Sequence, residues 1–211
     1  MSILSRVATP HDLKQLSLDE LIELCAEVRE FIIHHVSQTG GHLASSLGAV
    51  ELTLALHYVF STPEDKILWD VGHQAYAHKI ITGRKELFPR LRQMGGLSPF
   101  INPAESIYDP FVSGHAGNAI SAASGICEAF EITGNPAHVI AVIGDGSLSN
   151  GLTFEGLNFA GVRKQNLIVV LNDNEMFISS RVGALADYLS RLMTSRTMRG
   201  VKEGIKSTLR N

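Results

Sequence analysis

The residues from His138 to Ser180 constrain the fold more than any other stretch. They read HVIAVIGDGSLSNGLTFEGLNFAGVRKQNLIVVLNDNEMFISS. Val139 to Ile143 and Leu167 to Leu171 are short runs rich in Val and Ile, each about the length of a buried strand. Between them Leu152, Phe154, Leu157, Asn158 and Gly161 fall at helical spacing, with Gly161 placed to close the helix. Strand, helix and strand in this order build a parallel sheet with a right-handed crossover. Chemistry-bearing residues stand where each strand ends: Gly144-Asp145-Gly146 after the first, Asn172-Asp173-Asn174 after the second. Open parallel sheets bind ligands beyond the carboxyl ends of their strands. A carboxylate and an amide oxygen meeting there suit a small hard cation such as Mg²⁺, which takes few protein oxygens and adds ligand phosphates. The glycines beside Asp145 let backbone N–H groups approach those phosphates, and the next helix presents its positive end.

Composition narrows the class. The 211 residues are enough for one sizeable domain, with 45% hydrophobic and 18% charged residues, as in soluble globular proteins. A net charge of −3 gives no electrostatic case for nucleic acid or a membrane surface. No apolar run approaches membrane-spanning length, and the first residues lack a signal-peptide core, so the expected location is cytoplasmic. Cys25 and Cys127 fall at apolar helical positions and read as core thiols rather than a disulfide. The expected boundaries are a ligand-binding domain over 1–195 and a basic tail over 196–211, carrying Arg196, Arg199, Lys202, Lys206 and Arg210.

Upstream, Met1 to Leu16 reads as an extended lead-in broken at Thr9-Pro10. Ser17-Leu18-Asp19-Glu20 matches a capping box, and Leu21, Leu24, Cys25, Val28, Phe31, Ile32 and Val36 then share one helix face. Gly40-Gly41-His42 is a turn leading into a helix through Glu51 and Tyr58. Ile67 to Val71 is a third strand, running into Gly72-His73 and a helix through Ile80 and Ile81. Arg84 to Gln93 reads as a short helix, Met94 to Pro110 as a long loop, and Gly114-His115-Ala116-Gly117-Asn118 opens a helix over Ala119 to Phe130. Three Gly-His pairs, at His42, His73 and His115, thus stand at turns that precede helices. Imidazoles there can donate to phosphate or hydroxyl oxygens and move protons near neutral pH. The other histidines, His57, His78 and His138 among them, are assigned to helix faces or surface. The fold expected is α/β, three layers around a mainly parallel sheet.

The GDG of residues 144–146 and Asn174, 29 positions beyond Asp145, resemble the thiamine diphosphate signature. GHLASSLGAVELTLALHYVF, ILWDVGHQAYAHKIITGR, ESIYDPFVSGHAGNAISAASG, VIGDGSLSNGLTFEGLNFAG and VVLNDNEMFISSRVGALADYL together resemble the N-terminal domain of the 1-deoxy-D-xylulose-5-phosphate synthase family, from about Leu4 to Leu192. DVGHQAY and LNDNEM set this resemblance apart from transketolases in general, which share only the GDG…N frame. The family joins pyruvate to glyceraldehyde 3-phosphate with loss of carbon dioxide, for isoprenoid, thiamine and pyridoxal synthesis. The resemblance implies thiamine diphosphate and Mg²⁺ as cofactors. It implies Asp145, Asn174 and the Met176 carbonyl as metal ligands, with Gly146 and Ser147 on the diphosphate. His73, Gly114, His115 and Ala116 then line the cofactor, while His42 and His115 face the substrate. The family usually has GHSST where this chain has GHAGN, a Ser at Phe177 and an Asn at Arg181. Family members run through further domains, one of which supplies the glutamate that activates the thiazolium. The resemblance therefore implies no turnover alone, and an exposed apolar face that drives homo-oligomerisation or capture of a complementary subunit. A binding module that keeps the ligand without catalysis, or one subunit of a split enzyme, is the alternative.

Overall fold

The computed structural model describes residues 2–172. In chain order its helices are α1 (Pro10–Leu13), α2 (Leu18–Thr39), α3 (Leu43–Leu47), α4 (Val50–Val59), α5 (Tyr76–Lys79), α6 (Ala119–Thr133), α7 (Asp145–Leu148) and α8 (Gly151–Arg163). Its strands are β1 (Lys66–Trp69), β2 (Val139–Gly144) and β3 (Leu167–Asn172). They form a parallel sheet in the order β1-β2-β3, with Lys66 opposite Val139 and Gly144 opposite Asn172.

The central strand is apolar on both faces, as a parallel strand covered by helices must be. Val139, Ala141 and Ile143 pack with Leu68 against Ala119, Ile120, Ala123 and Cys127 of α6. Ile140 and Val142 pack with Ile67 and Trp69 against Leu56, Ala75 and Ile101, with Leu52 alongside. The sheet is therefore the middle of three layers, as expected. A third cluster joins the α2 stripe of Leu24, Cys25, Val28, Ile32 and Val36 to Leu13, Tyr76, Ile80 and Phe88. The capping box of α2 is formed: the Glu20 amide donates to Ser17 Oγ, and Ser17 N–H donates to the Glu20 carboxylate at 2.9 Å. Cys25 and Cys127 are buried free thiols.

Several boundaries differ from expectation for identifiable reasons. Residues 4–13 are not extended throughout: Leu4–Arg6 is a 3₁₀ turn and Pro10–Leu13 is helical, with Val7 and Thr9 extended between them. Pro10, whose missing N–H costs nothing in a first turn, starts α1, and the Asp12 carboxylate accepts from the Ala8 and Thr9 amides at 3.0 and 2.8 Å. Gly161 does not end α8. The helix runs on to Arg163, whose guanidinium donates twice to Glu128 of α6, and Lys164 takes the left-handed cap at φ 52°. The segment after Arg84 is a 3₁₀ turn over Lys85–Arg90 rather than an α-helix. β1 ends at Trp69, because Val71 adopts φ 60°, which turns the chain out of the sheet. The boundary expected at 195/196 and the tail lie outside the described residues.

Candidate functional site at the carboxyl ends of the strands

The site is built where β1 and β2 leave the sheet. At the end of β1, Asp70 still pairs with β2 through its amide, which donates to Val142 O at 2.8 Å. Its carboxylate, 1% exposed, accepts from Gly117 N–H at 2.9 and 3.0 Å and from Ala119 N–H at 3.1 Å. Asp70 is thus the group that holds the 114–118 turn and the first turn of α6 against the strand end. Gly72 follows at φ 82°, where a Cβ would come within 2.3 Å of Ser113 Oγ. Only glycine lets these two segments come so close.

His73 and His42 come together, their ring centroids 5.7 Å apart. Ser46 Oγ donates to the His73 carbonyl at 3.0 Å, tying α3 to the β1 turn. His42 N–H donates to Tyr76 Oη at 3.2 Å, and Phe100 from the long loop lies 5.4 Å from the His42 ring. Burial pushes both imidazoles below their ordinary pKa. Arg92 adds to this for His42, and His42 adds to it for His73, while Asp70 partly opposes it there. Both rings are therefore neutral near pH 7.

At the end of β2 the strand passes straight into α7, whose first residue is Asp145, half-buried, followed by exposed Gly146 and buried Ser147. Asn150 then caps α8: its Oδ1 accepts from Leu152 N–H at 3.0 Å, while its Nδ2 donates to Ala116 O at 3.0 Å. One side chain therefore ties the β2 turn to the 114–118 turn at the end of β1.

Of the expected site residues, the structure joins His42 with His73. It sets Gly114, His115 and Ala116 on the turn held by Asp70 and Asn150, with His115 and Ala116 exposed. The ring contact does not extend to His115. Asn174 and Met176 lie outside the described residues. Among the described residues no three His, Cys, Asp or Glu side chains cluster as a metal site. Residues not singled out from sequence are Asp70, Tyr76, Phe100 and Asn150. Only Asp70, at the end of a strand beside Val-Gly-His, had a readable signal.

His57 of α4 and His78 of α5 lie on helix faces, one of the two expected places, and both of these faces are fully buried rather than at the surface. Thr62 Oγ1 stands 2.9 Å from His57 Nδ1, His57 Nε2 is 2.8 Å from His78 Nδ1, and His78 Nε2 is 2.9 Å from Asp109 Oδ1. Asp109 also accepts from Nη1 and Nη2 of Arg84, and Lys79 pairs with Glu105. Two imidazoles can be buried here because each nitrogen that would be stranded has a partner. The network pins the long loop that carries Phe100.

Several buried polar atoms lack a partner within the protein at this strand end: His42 Nδ1, His73 Nδ1, Gln74 Oε1, Ser113 Oγ and Asn118 Oδ1. Native interiors leave few such groups, and five of the nine among the described residues stand at this strand end, the others being Trp69 Nε1, Arg84 Nε, Ser124 Oγ and Gln165 Oε1. The five at the strand end suit a polar ligand that completes their hydrogen bonds. Diphosphate oxygens fit the exposed Gly146 and the partly exposed Gly114–Ala116 turn, and the Asp145 carboxylate fits a hard cation.

Comparison with known proteins bears on the fold and the family. A transketolase from Leishmania mexicana superposes with a TM-score of 0.65 over 81% of this chain and 30% of that chain, at 17% identity. The fold is transketolase-like. The family described as 1-deoxy-D-xylulose-5-phosphate synthase matches residues 4–211. Synthases of that name from Syntrophus aciditrophicus and Desulfotalea psychrophila are 54% and 56% identical over 99% and 100% of the chain. One from Dictyoglomus thermophilum is 56% identical over 99% of it. The chain belongs to the 1-deoxy-D-xylulose-5-phosphate synthase family, matching its N-terminal domain. It spans about a third of the length of these relatives, 32–34%.

Proposed function

We propose that this chain is the diphosphate- and Mg²⁺-binding portion of a thiamine diphosphate-dependent 1-deoxy-D-xylulose-5-phosphate synthase. The observation that carries the proposal is the set of unpaired buried polar atoms around the His42–His73 pair, beside a strand end that delivers Asp145. Asp145 holds the cation; Asn174 and Met176, outside the described residues, are its further ligands by the resemblance of the motif alone. Gly146, Ser147 and the Gly114–Ala116 turn take the diphosphate. When bound, thiamine diphosphate supplies a carbon nucleophile that adds to a ketone and accepts the electron pair released on decarboxylation. The chain's own residues bind, orient and move protons. His42 and His73, kept neutral by burial, each have a ring nitrogen available to a pyruvate or glyceraldehyde 3-phosphate oxygen. His115, exposed on the cofactor turn, is the third proton-transfer group.

Turnover then requires what the remaining two thirds of the relatives' length supplies, from further chain or a complementary subunit. The setting is cytoplasmic. Among the described residues no helix is long and apolar enough to cross a membrane. Titration calorimetry with thiamine diphosphate and Mg²⁺ tests the proposal. Binding is expected for the wild type and to weaken at least tenfold in Asp145→Ala. Equal binding by both proteins would remove Asp145 from the site and the metal-diphosphate reading with it.

A further inference from the structure

Gly117 and Asn150 occupy each other's space. Gly117 sits at φ 88°, a conformation that side chains rarely adopt, and a Cβ there would lie 2.6 Å from Asn150 Cγ and 2.8 Å from its Cβ. The Asn150 amide thus fills the volume a residue 117 side chain would need. It uses both ends. Oδ1 caps α8 through Leu152 N–H, and Nδ2 donates to Ala116 O, one residue before the amide that Asp70 holds.

We infer that Asn150 is a positioning residue for the cofactor-facing turn, and that Gly117 and Asn150 act as one unit that clamps the end of β1 to the end of β2. The capping end is replaceable, since serine is as good an N-cap. The clamping end is not, since a serine hydroxyl is one bond beyond Cβ and falls short of Ala116 O. Asp70 fixes Gly117 and Ala119 from the sheet side, and Asn150 fixes Ala116 from the helix side. Without the second hold, the turn carrying Gly114 and His115 has one anchor. The inference rests on the reading of that turn as the diphosphate subsite only for its effect on ligand; the mechanical part stands apart.

Asn150→Ser separates the two ends. Residue-resolved amide exchange, followed by NMR on the full chain without ligand, reads the clamp directly. Exchange at Gly117 and Ala119 is expected to rise at least tenfold, while protection within α8 from Thr153 onward stays at the wild-type level. Gly117→Ala, which must push the Asn150 side chain aside, is expected to raise the same two rates with Asn150 in place. Exchange at Gly117 and Ala119 unchanged in Asn150→Ser overturns the inference, as does an increase spread evenly through α8. Calorimetry with Mg²⁺ and thiamine diphosphate on the same variant is expected to show at least a fivefold loss of affinity against the wild type. A wild type that takes up no thiamine diphosphate would refute the proposed function, and the exchange result would still decide the clamp.

Discussion

Asp109→Ala removes the acceptor at the centre of a buried charge network. The carboxylate takes two hydrogen bonds from Arg84 at 2.6 and 2.9 Å, one from His78 Nε2 at 2.9 Å and one from Asn102 N–H at 3.1 Å. Asp109 and His78 are shut off from water, and its partners hold the Asp109 carboxyl well below the usual carboxylate range against the opposing effect of burial. Breaking a buried pair by deleting one partner costs about 3–5 kcal/mol, because the other charge stays buried and uncompensated. Arg84 keeps a weaker contact with Glu105 at 3.5 Å, which favours the lower end, about 3 kcal/mol. At about 2–4 °C per kcal/mol for a chain of this size, the melting temperature falls by about 6–12 °C. The reporter is built in. Trp69, the only tryptophan, is buried with its ring 5.9 Å from His78. Denaturant unfolding followed by its fluorescence gives the loss as a midpoint shift at constant slope. A loss below about 1 kcal/mol would show that the charges are compensated by water or by Glu105, and that the network does not fix the Phe100 loop.

Other perturbations read other parts of the structure. Burial lowers the pKa of His57 and His78, so the unfolded chain binds protons that the folded one refuses. Stability is therefore full above about pH 6.5 and falls as pH drops below it, by up to about 1.4 kcal/mol per pH unit for each histidine; a midpoint constant from pH 7 to pH 5 would contradict this. Gly156→Ala on α8 puts a Cβ 2.9 Å from Ile120 Cγ2 and 3.1 Å from the Ser121 backbone nitrogen of α6. Such overpacking costs about 1–3 kcal/mol, and an unchanged melting temperature would mean that α6 and α8 slide apart freely. Leu152, Phe154, Phe159 and Val162 of α8 and Ile168, Val169 and Leu171 of β3 are exposed. Light scattering is expected to show self-association rising with concentration, and a strictly monomeric mass at high concentration would refute it.

Much of this was legible in the sequence, and the exceptions have physical causes. The two Val/Ile runs became neighbouring parallel strands because a buried strand needs only apolar side chains and a crossover of helical length. Ser17 and Glu20 announced the start of α2 because capping is a local interaction. α8 runs past Gly161 because Arg163 and Gln165 are held by Glu128 and Ser124 of another helix, which no local pattern records. His57 and His78 lie 21 positions apart and their partner Asp109 a further 31. Nothing in the spacing shows that three elements bury them together. At the site, the Gly-His turns were readable as turns, and the meeting of His42 with His73 was not. It depends on Ser46 and Tyr76 reaching across from other helices.

The register that pairs β1 with β2 has a consequence for how the chain is made. The contact between Asp65 and His138 at the mouth of that pairing joins residues 73 positions apart. At about 5–20 residues per second, a ribosome takes several seconds to deliver the second strand after the first. Through that interval Ile-Leu-Trp is an uncharged, strand-prone triplet with no sheet to join, and Asp70 has yet to meet the amides it will hold. Lys66 and Asp70 bracket the triplet with opposite charges. Charges that flank an apolar strand in this way oppose its pairing with the wrong molecule while the second strand is still to come.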